Sequence, residues 1–402
     1  MRLGFFTALG FSAPHCAAAL IFIACFSQCV IAQVSDGKGL TPLEGVLPIT
    51  DDRALWDSVK DSQNVSELQA YLKKFPDGLF AEVATIRVRT LSGTGPVGNP
   101  QVSTQSPQIP QRQAMAPGQI IKDCVDCPEM VVIPAGSFTM GSSAAEQALA
   151  NAAGVAEIIT RRESPQLRVN ILSFAAGRYA ISKGELAAFV RAKGYQTEAE
   201  RGDGCTAWNG AELKQDTSYN WRNVGFAQAD NHPVVCVSWN DAQAYIAWLN
   251  QSSGQTYRLL SGAEREYAAR GGTQTAFWWG DSISTAQANY AGTSTSYNGS
   301  PKGEYRQATV PVNSFSPNPF GLYNVHGNVW EWVEDCWSGN YTGSPTEGSA
   351  WRAGCSSNYR ELRGGSWAGY SAFLRSAVSR SGTTVSRNYS YGFRLARTLF
   401  TP

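Results

Sequence analysis

The chain has 402 residues and a formal net charge of +1, and only 16% of its residues are charged. Nucleic-acid binding needs a concentrated basic face that displaces counterions, so this charge balance argues against a nucleic-acid partner. It gives equally little support to an acidic or membrane-surface partner. The 39 glycines, 12 tryptophans and 16 tyrosines predict a fold rich in turns and aromatic packing rather than a bundle of long helices.

The N-terminus has the pattern of a secretory signal peptide. One cation, Arg2, precedes an apolar stretch over residues 17–26, and small residues end at Ala32. We therefore expect residues 1–32 to be removed, and the mature protein to be secreted or periplasmic with no membrane span. The apolar stretch is shorter than the roughly 20 residues that cross a bilayer. A retained anchor and a lipoprotein-type leader ending at Cys25 are the two alternatives.

Six cysteines remain after this leader, and an even number in an oxidising compartment predicts disulfide bonds. The pairs favoured by nearness in the sequence are Cys205 with Cys236 and Cys336 with Cys355. The remaining two, Cys124 and Cys127, form a CxxC that fits a third disulfide, a redox-active pair or half of a zinc site. No second CxxC follows, so zinc is disfavoured.

A small helical module is predicted over residues 51–91, after an N-terminal segment at residues 33–50. Apolar residues such as Leu68 and Tyr71 recur at the spacing of one helix face. Short helices bury little apolar surface, so we expect this module to be a spacer or a docking piece. Residues 92–119 are rich in Gly, Pro, Ser and Gln and lose the apolar periodicity, which is typical of a linker.

Residues 120–402 are predicted to form one large domain. A strand near residues 130–133 opens it, and three helices follow that begin with polar residues, two of them in capping boxes, and end at glycine. Their predicted limits are Ser182 to Gly194, Asn240 to Gly254 and Ser261 to Gly271. Beyond these helices the sequence has the character of short strands, aromatic residues and turns.

Several large enzyme classes are excluded by missing motifs. The sequence has no GxxxxGK[ST] phosphate-binding loop and no GxSxG nucleophile elbow. Only His232 and His326 follow the leader, so the mature chain cannot supply a three-histidine iron or zinc centre.

The strongest local feature is the segment GLYNVHGNVWEW at residues 321–332. Backbone carbonyls of its Gly-Asn turn and the carboxylate of Glu331 are hard oxygen ligands of the kind that calcium prefers. The alternative is an aromatic turn in the core, in which Glu331 is hydrogen-bonded to backbone groups.

Six blocks together resemble the formylglycine-generating enzyme family, also called the sulfatase-modifying factor family. They are VVIPAG (131–136), PVVCVSW (233–239), YRLLS (257–261), GLYNVHGNVWEW (321–332), RGGSW (363–367) and GFR (392–394). Their order and spacing are those of the family over about residues 125–397. The resemblance implies an α+β, C-type-lectin-like fold with low regular secondary structure, preceded here by the small helical module.

The resemblance also implies structural calcium. Matched residue by residue, a first site falls on the carbonyls of His326 and Val329, on Gly327 and on Glu331. A second site maps less well, onto Asn289 and Tyr290, with Glu304 as a possible third ligand.

The redox chemistry of the family does not carry over to this chain. In formylglycine-generating enzymes, two cysteines separated by four residues lie between the RGGS and GFR blocks and bind copper(I), which activates dioxygen. Soft thiolate ligands are what that metal requires. No cysteine lies between Arg363 and Arg394, so neither copper nor formylglycine generation is expected.

The substrate groove of the family lies beside the RGGS and GFR blocks. The side chains placed there by the resemblance are Arg363, Ser366, Trp367, Arg375, Arg380 and Arg394. Arginine suits carboxylate or peptide recognition through bidentate hydrogen bonds. For Arg363 and Arg394 a structural role is favoured instead, with the carboxylates of residues 331–335 as partners.

Three functions fit these residues. By resemblance, the chain is an exported family member linked to oxidative modification of proteins or small molecules, and the missing cysteine pair leaves its enzymatic status open. The alternative is a non-catalytic, calcium-stabilised, lectin-like module that binds a peptide, glycan or protein partner. In the third, the helical module at residues 51–91 docks to a partner while the large domain provides bulk.

Overall fold

The computed structural model divides the chain into two compact units, residues 1–107 and 108–402, and each is described by itself. The expected leader, the segment at residues 33–50 and most of the expected linker lie outside the described residues. The described ranges are 55–56, 58–60, 62–76, 81–92, 115–293, 297–353, 355 and 358–399. Within these ranges, no helix has the length and apolar character needed to cross a membrane.

The smaller unit contains two complete helices in its described part. They are α1, Val65–Lys74, and α2, Ala81–Leu91. Asn64 begins α1, because its Oδ1 accepts a hydrogen bond from the backbone N–H of Ser66 at 3.0 Å. Leu68 and Tyr71 are buried, and the ring of Trp56 lies 5.3 Å from that of Tyr71. The helix face predicted from the apolar spacing is therefore the buried face.

The larger unit is built from short strands and helices joined by long irregular segments. Its strands are β1 Ile120–Ile121, β2 Met130–Ile133, β3 Gly136–Met140, β4 Leu167–Ile171, β5 Phe174–Gly177, β6 Cys205–Trp208, β7 Leu213–Asp216, β8 Tyr257–Leu259, β9 Trp330–Cys336, β10 Tyr359–Arg363, β11 Ser379–Thr383, β12 Tyr391–Phe393 and β13 Leu395–Thr398. Its helices are α3 Ala144–Ala152, α4 Glu157–Thr160, α5 Lys183–Lys193, α6 Glu198–Arg201, α7 Trp239–Ser253 and α8 Gly262–Arg270, with 3-10 turns at Arg161–Glu163 and Ser371–Leu374.

Two sheets organise this unit. One has five strands in the order β1-β2-β5-β13-β8, all antiparallel. The other has four strands in the order β11-β10-β9-β12, and β12 runs parallel to β9. The pairs β3-β4 and β6-β7 form separate two-stranded sheets. The predicted α+β fold with low regular secondary structure is confirmed.

The three helices predicted from the sequence begin and end at the signals that the sequence contains. At α5, Ser182 accepts from the backbone N–H of Glu185, and the Glu185 carboxylate accepts from the backbone N–H of Ser182 at 2.7 Å. Equivalent boxes begin α7 and α8. Each helix ends at a glycine in the left-handed region. These glycines are Gly194, Gly254 and Gly271, with φ of 59°, 65° and 57°.

Aromatic side chains join α5 and α7 to both sheets. The ring centroid of Tyr245 in α7 lies 5.7 Å from Phe189 in α5 and 5.6 Å from Phe393 in β12. All three side chains are buried. The same core cluster includes Leu259 and Leu395 of the five-stranded sheet, so it fills the space between the two sheets and the helices.

Three disulfide bonds cross-link the larger unit. They join Cys124 to Cys127, Cys205 to Cys236 and Cys336 to Cys355. The predicted disulfides are confirmed, including the two pairs chosen by nearness in the sequence. The CxxC is a disulfide here rather than half of a zinc site.

A buried carboxylate links the two sheets. Glu331 of β9 is 1% exposed and receives hydrogen bonds from Arg265 Nε at 2.6 Å and from Arg394 Nη2 at 2.8 Å. Arg394 Nη1 also donates to the carbonyl of Gly177 in β5 at 2.8 Å. Burial alone would raise the pKa of Glu331, but the two guanidinium charges hold it below its ordinary value. The carboxylate is therefore ionised inside the core.

Replacing Glu331 by Gln should destabilise the fold strongly. Glu331→Gln removes the one negative charge that both buried arginines share, and breaking a buried pair in this way typically costs about 3–5 kcal/mol. The free energy of unfolding in a denaturant titration measures the loss.

The matched control is Glu334→Gln in the same strand. Glu334 pairs with Arg352, whose side chain is 71% exposed, and pairs of this kind contribute under about 1 kcal/mol. Equal losses for the two variants would contradict the structural role given to Glu331.

Candidate functional site

The RGGSW segment leaves strand β10 through a turn that only glycine fits. Gly364 and Gly365 have φ of 97° and 75°, in the left-handed region that disfavours other residues. A Cβ atom on Gly364 would lie 2.6 Å from Arg265 Nη2. That nitrogen donates to the carbonyl of Val325 at 2.9 Å, so the buried arginine and the turn position each other.

Trp367, the last residue of this segment, anchors an aromatic cluster. Its backbone N–H donates to the carbonyl of Asn328 at 3.0 Å, and its side chain is buried. The ring lies 4.8 Å from Tyr389, 5.3 Å from Phe226 and 6.1 Å from Tyr305. Distant segments of the chain therefore meet at this tryptophan.

A cleft of about 680 Å³ opens beside this cluster, within the roughly 300–1,000 Å³ that small-molecule sites occupy. Its aromatic lining residues are Trp208, Tyr305, Trp330, Tyr370, Phe373 and Tyr389. Neutral polar groups come from Ser366, Ser379, Asn388 and Ser390, and the charged side chains are Arg162 and Arg380. Among the described residues that line it, none is Asp, Glu, His or Cys.

The β6-β7 hairpin brings apolar side chains to the cleft. Trp208 and Leu213 are cross-strand partners and are 52% and 56% exposed. Tyr370, from the turn after the RGGSW segment, is 47% exposed. The disulfide between Cys205 and Cys236 ties the first strand of the hairpin to the core. A Trp, a Leu and a Tyr this exposed at one cleft leave apolar surface available to a ligand.

The phenol groups of Tyr305 and Tyr389 in the cleft are protonated at neutral pH. Burial, with a smaller contribution from Tyr305, raises the pKa of Tyr389 to about 12, and burial also raises the pKa of Tyr305. Each of these two hydroxyl groups is therefore a neutral hydrogen-bond donor and acceptor rather than a base.

The two arginines of the cleft have no carboxylate partner in the described part of the chain. The guanidinium carbon of Arg162 lies 5.5 Å from the ring centroid of Trp337, and that of Arg380 lies 5.5 Å from the ring centroid of Tyr391. At this distance each guanidinium group makes a cation–π contact with a ring, and such a contact does not use the N–H groups.

Of the six side chains predicted for the substrate groove, Ser366 and Arg380 line the cleft, and Trp367 packs against its wall. Arg363, Arg375 and Arg394 are not among the residues that line it. They are buried in ion pairs with Glu266 and Glu361, with Glu163 and Glu146, and with Glu331, respectively. The structural alternative holds for Arg394 with Glu331, whereas the partners of Arg363 lie outside residues 331–335.

Sequence reasoning missed much of the cleft. Trp208, Tyr305 and Tyr389 belong to segments about a hundred residues apart, and no motif connects them. One available signal was the Asn209-Gly210 pair, which is typical of a β-hairpin and would have placed Trp208 beside the loop of β6-β7.

Two of the residues assigned to the first calcium site, Glu331 and Gly327, already have hydrogen-bond partners within the chain. Both carboxylate oxygens of Glu331 accept hydrogen bonds from arginine, so two cations already neutralise it. The carbonyl of Gly327 accepts the backbone N–H of Val329 at 2.9 Å. His326 lies in the same turn, with its ring among Phe277 and Trp279. The segment forms an aromatic turn in the core. Arginine side chains, rather than backbone groups, donate the hydrogen bonds to Glu331.

Among the residues assigned to the second calcium site, Asn289 has a side-chain oxygen that is available to an ion. Asn289 is buried, and its Oδ1 has no hydrogen-bond partner. Tyr290 is also buried, whereas the Glu304 side chain is 61% exposed and pairs with Arg306 at 2.9 Å. No cluster of three or more His, Cys, Asp or Glu side chains suited to a metal ion occurs within the described ranges.

Two positions after the RGGSW segment have the spacing that a copper-binding cysteine pair requires, and neither residue contains sulfur. Gly369 and Leu374 have four residues between them, and a Cβ atom on Gly369 would lie 3.8 Å from Leu374 Cδ1. Gly369 also lines the cleft. Two positions at this spacing, one of which lines the cleft, are therefore close together in space and carry no thiol.

Comparison with known proteins gives consistent matches. The family model of the sulfatase-modifying factor enzyme 1-like domain matches residues 116–399. The formylglycine-generating enzyme of Mus musculus is 31% identical over 341 residues, 76% of this chain and 87% of that protein. Inactive C-alpha-formylglycine-generating enzyme 2 of Mus musculus is 31% identical over 306 residues, 67% and 85% of the two chains. The solved structure of PvdO from Pseudomonas aeruginosa is 37% identical, with a TM-score of 0.58, and covers 71% of this chain and 100% of that one.

We expect His326 to remain neutral across the physiological range. Its Nδ1–H donates to the carbonyl of Leu374 at 2.8 Å, and its Nε2 accepts the backbone N–H of Trp278 at 3.2 Å. Burial, together with the charges of Arg265 and Arg270, lowers its pKa to about 3. Imidazole ¹⁵N chemical shifts should therefore stay constant from about pH 8 to about pH 5, where an ordinary histidine titrates.

His232 supplies the internal comparison. Its pKa is also lowered from the ordinary value of 6.5, by partial burial and by Lys183, and the variant His232→Gln identifies its signals. A titration of the His326 signals in this range would contradict the buried, doubly bonded ring.

Proposed function

This chain belongs to the sulfatase-modifying factor enzyme 1-like family, and from that membership we propose that it is an exported protein that binds a peptide or small molecule in the aromatic cleft. We further propose that it does not generate formylglycine. The observation that carries both parts is the lining of the cleft beside the RGGSW segment, which offers aromatic rings, hydroxyl groups and free guanidinium groups but no thiol.

The missing thiols argue against the family's copper chemistry. Copper(I) selects soft sulfur ligands, and the interval from Arg363 to Arg394 contains no cysteine. Family membership by itself does not carry the activity, since a mouse relative of similar identity is named as inactive. An oxidation in this cleft would therefore use a redox group brought by the bound molecule or by a further partner.

Export is supported by the leader pattern of residues 1–32 and by the use of cysteine in the larger unit. All six cysteines after the leader form disulfides, and such bonds persist in oxidising compartments. We therefore propose a secreted or periplasmic protein.

Filling the cleft should weaken ligand binding. Ala368 is partly exposed and lines the cleft, so the indole of Ala368→Trp occupies the space of a ligand. With the neutral fluorescent probe N-phenyl-1-naphthylamine, we expect the dissociation constant to rise by about tenfold or more. Titration of the probe fluorescence measures it, and the unfolding midpoint shows that the variant is folded.

The control is Ala350→Trp. Ala350 is also partly exposed and lines a different cleft of about 550 Å³, so this variant should bind the probe as the wild type does. Binding that is unaffected by Ala368→Trp, or that is lost equally in both variants, would overturn the proposed site.

Formylglycine generation should be undetectable. A cysteine-containing sulfatase peptide incubated with the protein, dioxygen and copper(I) is expected to keep its thiol, because no thiolate pair holds the metal beside the peptide. Mass spectrometry of the peptide measures the conversion, and the mouse formylglycine-generating enzyme serves as the positive control. Appearance of the aldehyde product would contradict the proposal.

A further inference from the structure

We propose that the ligand of the cleft is a small planar aromatic molecule that carries an anionic group, with its ring against the side chains of Trp208 and Tyr370 and its charge facing Arg162 and Arg380. This inference rests on the proposed function, because it names the chemical class that the same cleft takes. It follows from the charge, the stacking geometry and the exposure of the lining residues.

The cleft has a free positive charge. Arg162 and Arg380 line it, and neither forms an ion pair with any described residue. The arginines buried nearby behave differently, since Arg375 meets Glu163 at 2.7 Å and Arg394 meets Glu331 at 2.8 Å. No acidic side chain lines the cleft itself, so a ligand anion meets no like charge among the lining residues; Asp335 and Glu361 border the small cavity that shares Arg162 and Ser379 with the cleft.

The other large cleft shows that this charge pattern is not a general property of the surface. That cleft is lined by Arg258 and Arg352, but Arg258 pairs with Glu264 at 2.6 Å and Arg352 pairs with Glu334 at 3.0 Å. Its lining also includes Glu347. Its cations are therefore already neutralised, and an anion would gain little by entering it.

The geometry of the two free arginines suits an oxyanion. Each guanidinium group lies against an aromatic ring, Arg162 against Trp337 and Arg380 against Tyr391. The ring contact restrains the guanidinium group, so less conformational freedom is lost when its N–H groups bind the oxygens of a carboxylate, sulfonate or phosphate. The protonated phenols of Tyr305 and Tyr389 are further donors in the same cleft.

The uncharged part of the ligand is specified by the exposed aromatic side chains. Trp208 and Tyr370 are about half exposed at the cleft, and flat rings contact one another through offset stacking or edge-to-face packing. The hairpin that carries Trp208 is tied to the core by the disulfide at Cys205, so the indole is held close to its binding position before the ligand arrives.

The test uses two fluorescent probes with the same rings. 1-Anilinonaphthalene-8-sulfonate differs from N-phenyl-1-naphthylamine by one sulfonate group, so the ratio of their dissociation constants isolates the contribution of the anion. With the full chain we expect the sulfonate to bind about tenfold more tightly than the neutral probe. Added salt should weaken only the sulfonate complex, because screening acts on the charge interaction.

Variants of the two arginines test whether their charges bind the sulfonate group. Arg380→Gln and Arg162→Gln should each weaken sulfonate binding by about three- to tenfold and lower the ratio of sulfonate affinity to neutral-probe affinity. Arg352→Gln, in the other cleft, is the matched control and should change neither probe. Trp208→Ala should weaken both probes, because it removes a shared ring contact.

The outcomes separate this inference from the proposed function. Equal affinity for the two probes in the wild type, or a sulfonate loss in Arg352→Gln as large as that in Arg380→Gln, would overturn the anionic ligand while leaving the cleft as a binding site. If Ala368→Trp binds both probes as the wild type does, the cleft is not the binding site and the proposed function itself fails.

Discussion

The buried carboxylate of Glu331 is the constraint on which the larger unit depends. It lies in β9 of the four-stranded sheet and is held by Arg265 of α8 and by Arg394, the residue between β12 and β13. An ionised group is tolerated in a core only when its charge and hydrogen bonds are satisfied. The positions of two strands and one helix are therefore restricted together, and Arg394 adds β5 through the carbonyl of Gly177.

The same arrangement positions the cleft without taking part in it. Arg265 passes so close to Gly364 that only glycine fits there, and the turn of the RGGSW segment then places Ser366 at the cleft and Trp367 in its wall. The scaffold of the family is retained in this way although no cysteine follows the turn before Arg394. Fold and chemistry are separable because the buried ion pairs stabilise the first, whereas the side chains that line the cleft determine the second.

Features that depend on neighbours in the chain were predictable. The capping box of Ser182 and Glu185 forms within one turn of helix, and the disulfide between Cys336 and Cys355 closes a short segment. The α+β fold was also predictable, from the family resemblance, because the six blocks that carry the resemblance lie in turns and strands of the core. Of the side chains predicted for the groove, Ser366 and Arg380 line the cleft, whereas Arg363, Arg375 and Arg394 pair with acidic residues.

The sequence by itself determined the limits of three helices, two of the three disulfide pairs, the family and the absence of a thiol pair after the RGGSW segment, since each of these depends on residue identity at short or known spacing. Only the tertiary structure decided which arginines are structural and which face the cleft. Arg375 is 212 residues from its partner Glu163, and the aromatic wall joins Trp208 to Tyr389. A guanidinium group that already forms an ion pair inside the protein has little to gain from a ligand. Whether such a pair forms depends on contacts between segments that are distant in the sequence.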